Sequence, residues 1–464
     1  NEPGVFSALI GWEWSATPGG ANLHRVVITD SNAETASAFR PFGFDDGAFP
    51  EDLWAWLEAT SAATGAGFTA IPHNSNISKG MMFAETSLRG EGLDANTIAQ
   101  RGKWERVVEI TQIKGDSETH PLFSPGDPFA DFENYPFYIQ RRWTEYQPRP
   151  GDFIRPALGL GLQVEKRQGQ NPFQFGVIGS SDSHTGLSSF EENNFHGKMA
   201  TDSIPANKRA RVISDGPAAD GWSMSAAGLA AVWAADNTRA AILAAIQRRE
   251  VYATTGPRIT LQFYGAGDLS EDDLHPGLQD LLARGAVPMG GELRALDAAP
   301  AFVVAASKDP VEANLDRIQI VKGWLDASGQ NREQVYDIAW SGSRVLDPDG
   351  RLPPVGDTVD RRTGKVANTI GATQLAAFWR DPRFDPSQSA FYYVRVLQIP
   401  TARHSLLDAV ALGLLSKKEV ENQLKKVSGY RNTIQKKKNT DSSSASREKK
   451  ITYSIYVSKN KEKC

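Results

Sequence analysis

Five residues have the types and settings for metal chemistry. Glu13 lies in Gly11-Trp-Glu-Trp-Ser, His73 in Ile71-Pro-His-Asn, and Glu109 in Val107-Val-Glu-Ile-Thr-Gln. Asp182 and His184 follow Val177-Ile-Gly-Ser-Ser. Two imidazoles with three carboxylates suit Zn²⁺, Mn²⁺ or Fe²⁺, and carboxylates that can bridge suit two or three ions. Each residue alone also has a structural reading. A strand-end carboxylate is commonly solvated or salt-bridged, and a single histidine is commonly a satisfied structural group. Glu109 is the hardest to read that way, because it interrupts an apolar run and needs a partner if buried. The Asp-x-His pair is the best local signal. Ser183 and Thr185 read as turn-stabilising hydroxyls, since no Gly-x-Ser-x-Gly elbow frames either.

The elements that must position these residues alternate short apolar runs with helical stretches from Val5 to about Gly256. Val5–Trp12, Phe68–Ile71, Val107–Ile113 and Phe175–Ile178 are strand candidates. Pro50-Glu-Asp-Leu-Trp-Ala-Trp-Leu has a helix start, with proline and acids in its first turn, and Phe153–Lys166 and Asn237–Arg249 carry apolar residues at helical spacing. Strands separated by helices predict an α/β domain with a mainly parallel sheet. In a parallel barrel the carboxyl ends of the strands open on one face, so four strands would deliver all five residues to one mouth. The polar stretches 114–150 and 190–220 read as insertions. After Thr254-Thr-Gly-Pro the runs become strand-like with period two, which predicts a β-rich, sandwich-like region ending near Pro400.

Other polar groups fall near the predicted mouth. Lys114, Glu118 and His120 follow the Glu109 strand; Lys114 could bind a substrate anion and His120 could donate a proton, or both could be surface groups. His24 and Arg25 follow Glu13 closely enough to reach the same mouth, where Arg25 would suit a phosphate or sulfate bidentately. Asn74 could bind a ligand or cap its turn.

Gly179-Ser-Ser-Asp-Ser-His-Thr-Gly resembles the late motif of the polymerase-and-histidinol-phosphatase (PHP) superfamily of metal-dependent phosphoesterases. More closely, Gly11-Trp-Glu-Trp-Ser, Asn22-Leu-His-Arg, Ile71-Pro-His-Asn, Glu109-Ile-Thr-Gln-Ile-Lys-Gly-Asp, Glu118-Thr-His-Pro and Val251-Tyr-Ala-Thr-Thr-Gly-Pro-Arg are similar to the DUF3604 family, from about Gly11 to Val410. The resemblance implies an incomplete, distorted (β/α)7 barrel over residues 1–256, its first strands missing, and a β-rich, sandwich-like domain over 257–413. It implies metal-ligand roles for Glu13, His73, Glu109, Asp182 and His184, with Glu13 bridging. It also implies a hydrolase of small anionic esters, phosphoesters foremost. Sulfate-ester, lactone or carboxylic-ester hydrolysis and non-catalytic binding of a glycan or partner are the alternatives. The superfamily's opening His-x-His motif and its Asp-His pair have no counterpart upstream of Glu13. The expectation is therefore a chain truncated before its first strands, with an incomplete metal site and impaired activity.

Composition divides the 464 residues unequally. From Ser416 onward 14 lysines and arginines face 5 acids, a balance of +9 that leaves −13 for the remainder. That segment has none of the 11 tryptophans, and its Lys, Ser, Thr and Asn content predicts a disordered or foreign tail over 414–464. No nucleic-acid partner is expected. No run approaches the roughly 18 apolar residues of a membrane span. The start has no basic region ahead of its apolar part, so no targeting segment is legible; a periplasmic or secreted location is slightly favoured over a cytoplasmic one. The single cysteine, Cys464, permits no disulfide within one chain.

Overall fold

The computed structural model describes residues 1–139, 144–187, 189–208, 220–274, 278, 280–294, 298–414 and the backbone of 451–458. Strands β1 (Ile10–Trp14), β2 (Arg25–Thr29) and β3 (Phe68–Pro72) form a wholly antiparallel sheet. Strands β4 (Val107–Gln112), β5 (Gly115–Asp116) and β6 (Gly176–Gly179) form another, in which β4 and β6 run parallel.

The expectation of an incomplete barrel on a mainly parallel sheet holds only in its coarser part: the fold is mixed α/β with several small sheets, one of them wholly antiparallel, and no barrel closes among the described residues. The connections give the reason. Only Ser15 to His24 join β1 to β2, with no α-helix, and so short a link reverses the chain rather than crossing over. Between β4 and β6 lies a 15-residue helix, Ile154–Gln168, long enough for a parallel crossover. Gly169 stops that helix at φ 76°, a left-handed cap that glycine adopts without steric cost. The predicted helix at Pro50 runs to Thr64, with Pro50 in its first turn and Glu51 and Asp52 beside the positive end of its dipole.

The later strands are β7 (Leu229–Val232), β8 (Val251–Thr254), β9 (Thr260–Ala266), β10 (Val287–Pro288), β11 (Glu292–Leu293), β12 (Ala301–Ser307), β13 (Leu315–Leu325), β14 (Asn331–Trp340), β15 (Val359–Asp360), β16 (Lys365–Val366), β17 (Gln374–Arg380) and β18 (Ala390–Gln398). One sheet has the order β10-β9-β12-β17 and a larger one contains β14-β13-β18. Alternate residues of β18 face two different cores. Tyr392, Val394 and Val396 meet Phe263 and Phe302 of the opposing sheet, whereas Phe391, Tyr393 and Leu397 meet Ala157, Leu158 and Leu162 of the Ile154–Gln168 helix. With a side-chain period of two, one strand thereby welds the β-rich region to the α/β region.

A buried ionic network crosses the same seam. Arg395 contacts Asp127 at 2.8 Å and Glu118 at 3.3 Å, and Arg155 contacts Asp127 at 2.7 Å. Tyr393 donates its hydroxyl to Glu118. Glu118 therefore anchors the loop that starts at Lys114.

Part of the lysine-rich segment also belongs to the large sheet. Strand β19 (Ile451–Ser458) pairs antiparallel with β18 along its length and with β8 through Thr452 and Tyr453. These eight residues of the segment expected to be a disordered or foreign tail are thus a strand. The rest of it, 415–450 and 459–464, lies outside the described residues.

Candidate metal centre

The antiparallel β1-β2-β3 register carries the first half of the site. Glu13 is opposite Val26, and Arg25 is opposite both Trp14 and Pro72. His24, just before β2, and His73, just after β3, therefore sit side by side, and His73 N–H donates to the His24 carbonyl at 3.3 Å. The Glu13 carboxylate meets both rings through Oε1, at 2.6 Å from His24 Nδ1 and 3.4 Å from His73 Nε2. Ligand atoms of the three residues all lie within 4.8 Å of one another.

The protonation of Glu13 and of His24 suits a cation. The hydrogen bond from His24, then that from His73, holds the Glu13 carboxyl far below the usual carboxylate range. Burial lowers the His24 pKa and favours the neutral ring. A deprotonated carboxylate and neutral imidazole are the forms that bind metal ions. His73 Nδ1 and Asn74 Oδ1 are buried without a hydrogen-bond partner among the described residues. Such orphaned polar atoms are costly and uncommon in a closed core. One carboxylate with two imidazoles fits Zn²⁺, Mn²⁺ or Fe²⁺.

The second half comes from β4 and β6. Their register shifts between Glu109 and Thr111, a local irregularity of the kind that re-aims side chains near sites. Glu109 accepts hydrogen bonds from the Asn74 backbone N–H at 3.2 Å and from the Ser180 hydroxyl. Asp182 Oδ2 accepts from Asn74 Nδ2 at 3.2 Å, from Gln112 Nε2 at 3.0 Å and from the Lys114 ammonium. Asp182 Oδ1 lies 3.4 Å from His184 Nε2 and 3.3 Å from Lys198 Nζ. Burial, with Lys198 second, pushes the Lys114 pKa well down against the pull of Glu109 and Glu13. The charge of Glu13 also acts on Lys198 and His184, so both halves share one field.

Among the described residues only Glu13, His24 and His73 form a close cluster of possible ligands; Glu109, Asp182, His184 and Lys114 are brought beside it through Asn74. Two other residues are not. Arg25 is 1% exposed, with Nε at 2.9 Å from Glu105 and Nη1 donating to the Leu23 carbonyl. It faces away from Glu13 because successive strand residues alternate sides, so its assignment as an anion clamp is corrected. His120 packs against Phe123 and Phe153, and burial lowers its pKa to about 4. It is neutral near pH 7, and among the described residues its ring accepts from the Leu122 N–H at 3.2 Å rather than bonding to the site; the proton-donor assignment is corrected as well.

The sequence reasoning undervalued His24 and missed Gln112, Ser180 and Lys198. Spacing gave a signal for His24, one residue ahead of a strand paired with the Glu13 strand. For Lys198, inside a polar loop, no motif gave one. Ser183 and Thr185 bond to each other at 2.9 Å, and Thr185 donates to the Leu187 carbonyl, in keeping with a turn role.

Among the described residues, no helix is long and apolar enough to cross a membrane. No curated protein and no solved structure matches the chain. The family model described as "Protein of unknown function (DUF3604)" matches residues 1–431, and the chain belongs to that family.

Proposed function

We propose that this protein is a metal-dependent hydrolase of small anionic esters, with phosphoesters as the first substrate class. The observation that carries the reading is the meeting of Glu13, His24 and His73 in one cluster, with ligand atoms within 4.8 Å of one another. The likeness of Gly179–Gly186 to the PHP late motif supports the same chemistry.

On this reading Glu13, His24 and His73 hold one ion, and Asp182, His184 and Glu109 supply the donors for a second. A bound ion would lower the pKa of a coordinated water toward neutrality and polarise the ester. Asn74 and Gln112 orient the Asp182 carboxylate by hydrogen bonding. Lys114, fixed through its carbonyl by Asn76 Nδ2 at 2.9 Å, presents its amino group as a hydrogen-bond donor to the ester's leaving oxygen.

The test is hydrolysis of a phosphomonoester, a sulfate monoester and a carboxylic ester by chelator-treated protein resupplied with Mn²⁺, Zn²⁺ or Fe²⁺. Metal-dependent release of phosphate is expected, and Glu13→Gln and His73→Ala should each reduce it beyond the roughly 10–100-fold that loss of an outer-sphere partner costs. Equal rates with and without metal, or unchanged rates in both variants, would overturn the proposal.

A further inference from the structure

The two halves of the candidate site differ in what their donor atoms touch. Glu13, His24 and His73 meet one another. Asp182 and His184 instead meet ammonium groups. Lys198 Nζ lies 2.9 Å from His184 Nε2, 3.2 Å from the Asp182 carbonyl oxygen and 3.3 Å from Asp182 Oδ1. Lys114 holds the other carboxylate oxygen. Hydrogen bonding and coordination use the same lone pairs. A neutral imidazole nitrogen has one, which serves a proton donor or a metal ion but not both.

Resting on the hydrolase reading, we propose that Lys198 competes with a metal ion for Asp182 and His184, so the protein loads metal in two unequal steps. The first ion takes Glu13, His24 and His73. The second takes Asp182 and His184 only when the Lys198 ammonium has withdrawn.

The surroundings allow Lys198 to withdraw and keep Lys114 in place. The Lys198 side chain is 18% exposed and borders His184 at 48%, whereas that of Lys114 is 5% exposed. The Lys198 backbone is tethered independently of its side chain. Its carbonyl accepts from His184 N–H at 2.8 Å, and its N–H donates to Asp202 Oδ2 at 3.1 Å. The flexible four-carbon stem can then turn toward solvent without moving the loop. Removing that cation also removes its repulsion of an incoming ion.

Equilibrium dialysis of chelator-stripped protein against Mn²⁺, with metal analysis, tests the idea on the full chain. The wild type should bind one ion at least tenfold more tightly than the second. Lys198→Met should tighten the second site at least tenfold, and adding His184→Ala should abolish that gain. Lys198→Arg, which keeps the cation, should leave the second site weak. Far-UV circular dichroism checks the fold, and Lys198→Gln replaces the Met variant if that one is unfolded. One ion in both wild type and Lys198→Met, or two equal sites in both, overturns the competition and leaves the hydrolase reading standing. No ion bound by any of them overturns the hydrolase reading and the competition together.

Discussion

Asn74 and Asp182 both adopt left-handed backbone, each with φ 52°, and Asn74 Nδ2 donates to Asp182 Oδ2 at 3.2 Å. The two stand on separate strand-end loops, after β3 and β6. Asn and Asp tolerate this conformation better than other side chains, yet it is uncommon and clusters at functional sites. Asn74 also lends its backbone N–H to Glu109, so a single residue joins β4 to the loops after β3 and β6. The candidate site is held together at Asn74.

Substitution of Asn74 should separate the backbone and side-chain parts of that role. Asn74→Gly keeps the left-handed turn and loses the hydrogen bond; Asn74→Ala loses both. We expect Asn74→Ala to lower stability by about 1–3 kcal/mol, the usual cost of left-handed backbone in a residue unsuited to it. Asn74→Gly should lose less stability while weakening metal binding to a similar degree. Denaturant melts and metal titrations of the two variants are the measurements. Equal stability of both would show that the turn is unstrained.

Arg25 should prove structural. Its guanidinium is buried beside Glu105, which also accepts from Trp54 Nε1 at 3.0 Å and pairs with Arg101 at 3.1 Å. Removing one partner of a buried pair typically costs about 3–5 kcal/mol, and here Glu105 would be left with Arg101 and Trp54. Arg25→Met is therefore expected to lower the melting temperature sharply. Any protein that remains folded should keep its KM for an anionic ester. A raised KM with unchanged stability would return Arg25 to the substrate site.

Acid should loosen the β-rich region from the loops around Met224. His404 is fully buried, with Nε2 at 2.7 Å from the Met224 carbonyl and its ring 4.2 Å from Phe195. Burial, then the neighbouring Arg403, pushes its pKa down to about 3. The unfolded chain, with an ordinary histidine pKa, binds the proton more readily. The contribution of neutral His404 is thus complete above about pH 6.5 and is lost as pH falls toward 3, by about 1.4 kcal/mol per pH unit. Melts of wild type and His404→Gln between pH 7 and pH 4 should show a shallower slope in the variant. Parallel slopes would remove His404 from the account.

The seam between the two regions should not act as a hinge. β18 feeds both cores, and Arg395 is 0% exposed against Asp127 and Glu118. Differential scanning calorimetry of the wild type should give one transition for both regions. Arg395→Ala should lower it by several kcal/mol, since two buried carboxylates lose a partner. Two wild-type transitions would contradict the shared core.

How far the sequence disclosed this site depends on the geometry each residue needed. Glu13, His73, Glu109, Asp182 and His184 were legible because each sits within or just beyond a short apolar run, and such runs end where strands end. Arg25 misled because proximity in sequence suggested proximity to Glu13, while alternation along β2 sends neighbours to opposite sides. Sheet direction was not legible: the helix between β2 and β3 signals a crossover, yet the strands pair antiparallel. Ile451-Thr-Tyr-Ser-Ile-Tyr-Val-Ser alternates apolar and polar residues, but the surrounding lysines outweighed that local strand pattern. Lys198 was invisible, because only folding brings its loop to His184.

The account rests most heavily on Glu13, His24 and His73 acting as one metal-binding unit. Mn²⁺ titration by isothermal calorimetry, comparing wild type with His24→Ala at pH 7.5, addresses this directly. Loss of a ligand should weaken the tighter binding step beyond the roughly 10–100-fold that loss of an outer-sphere partner costs. Unchanged tight binding in His24→Ala would contradict the proposed centre.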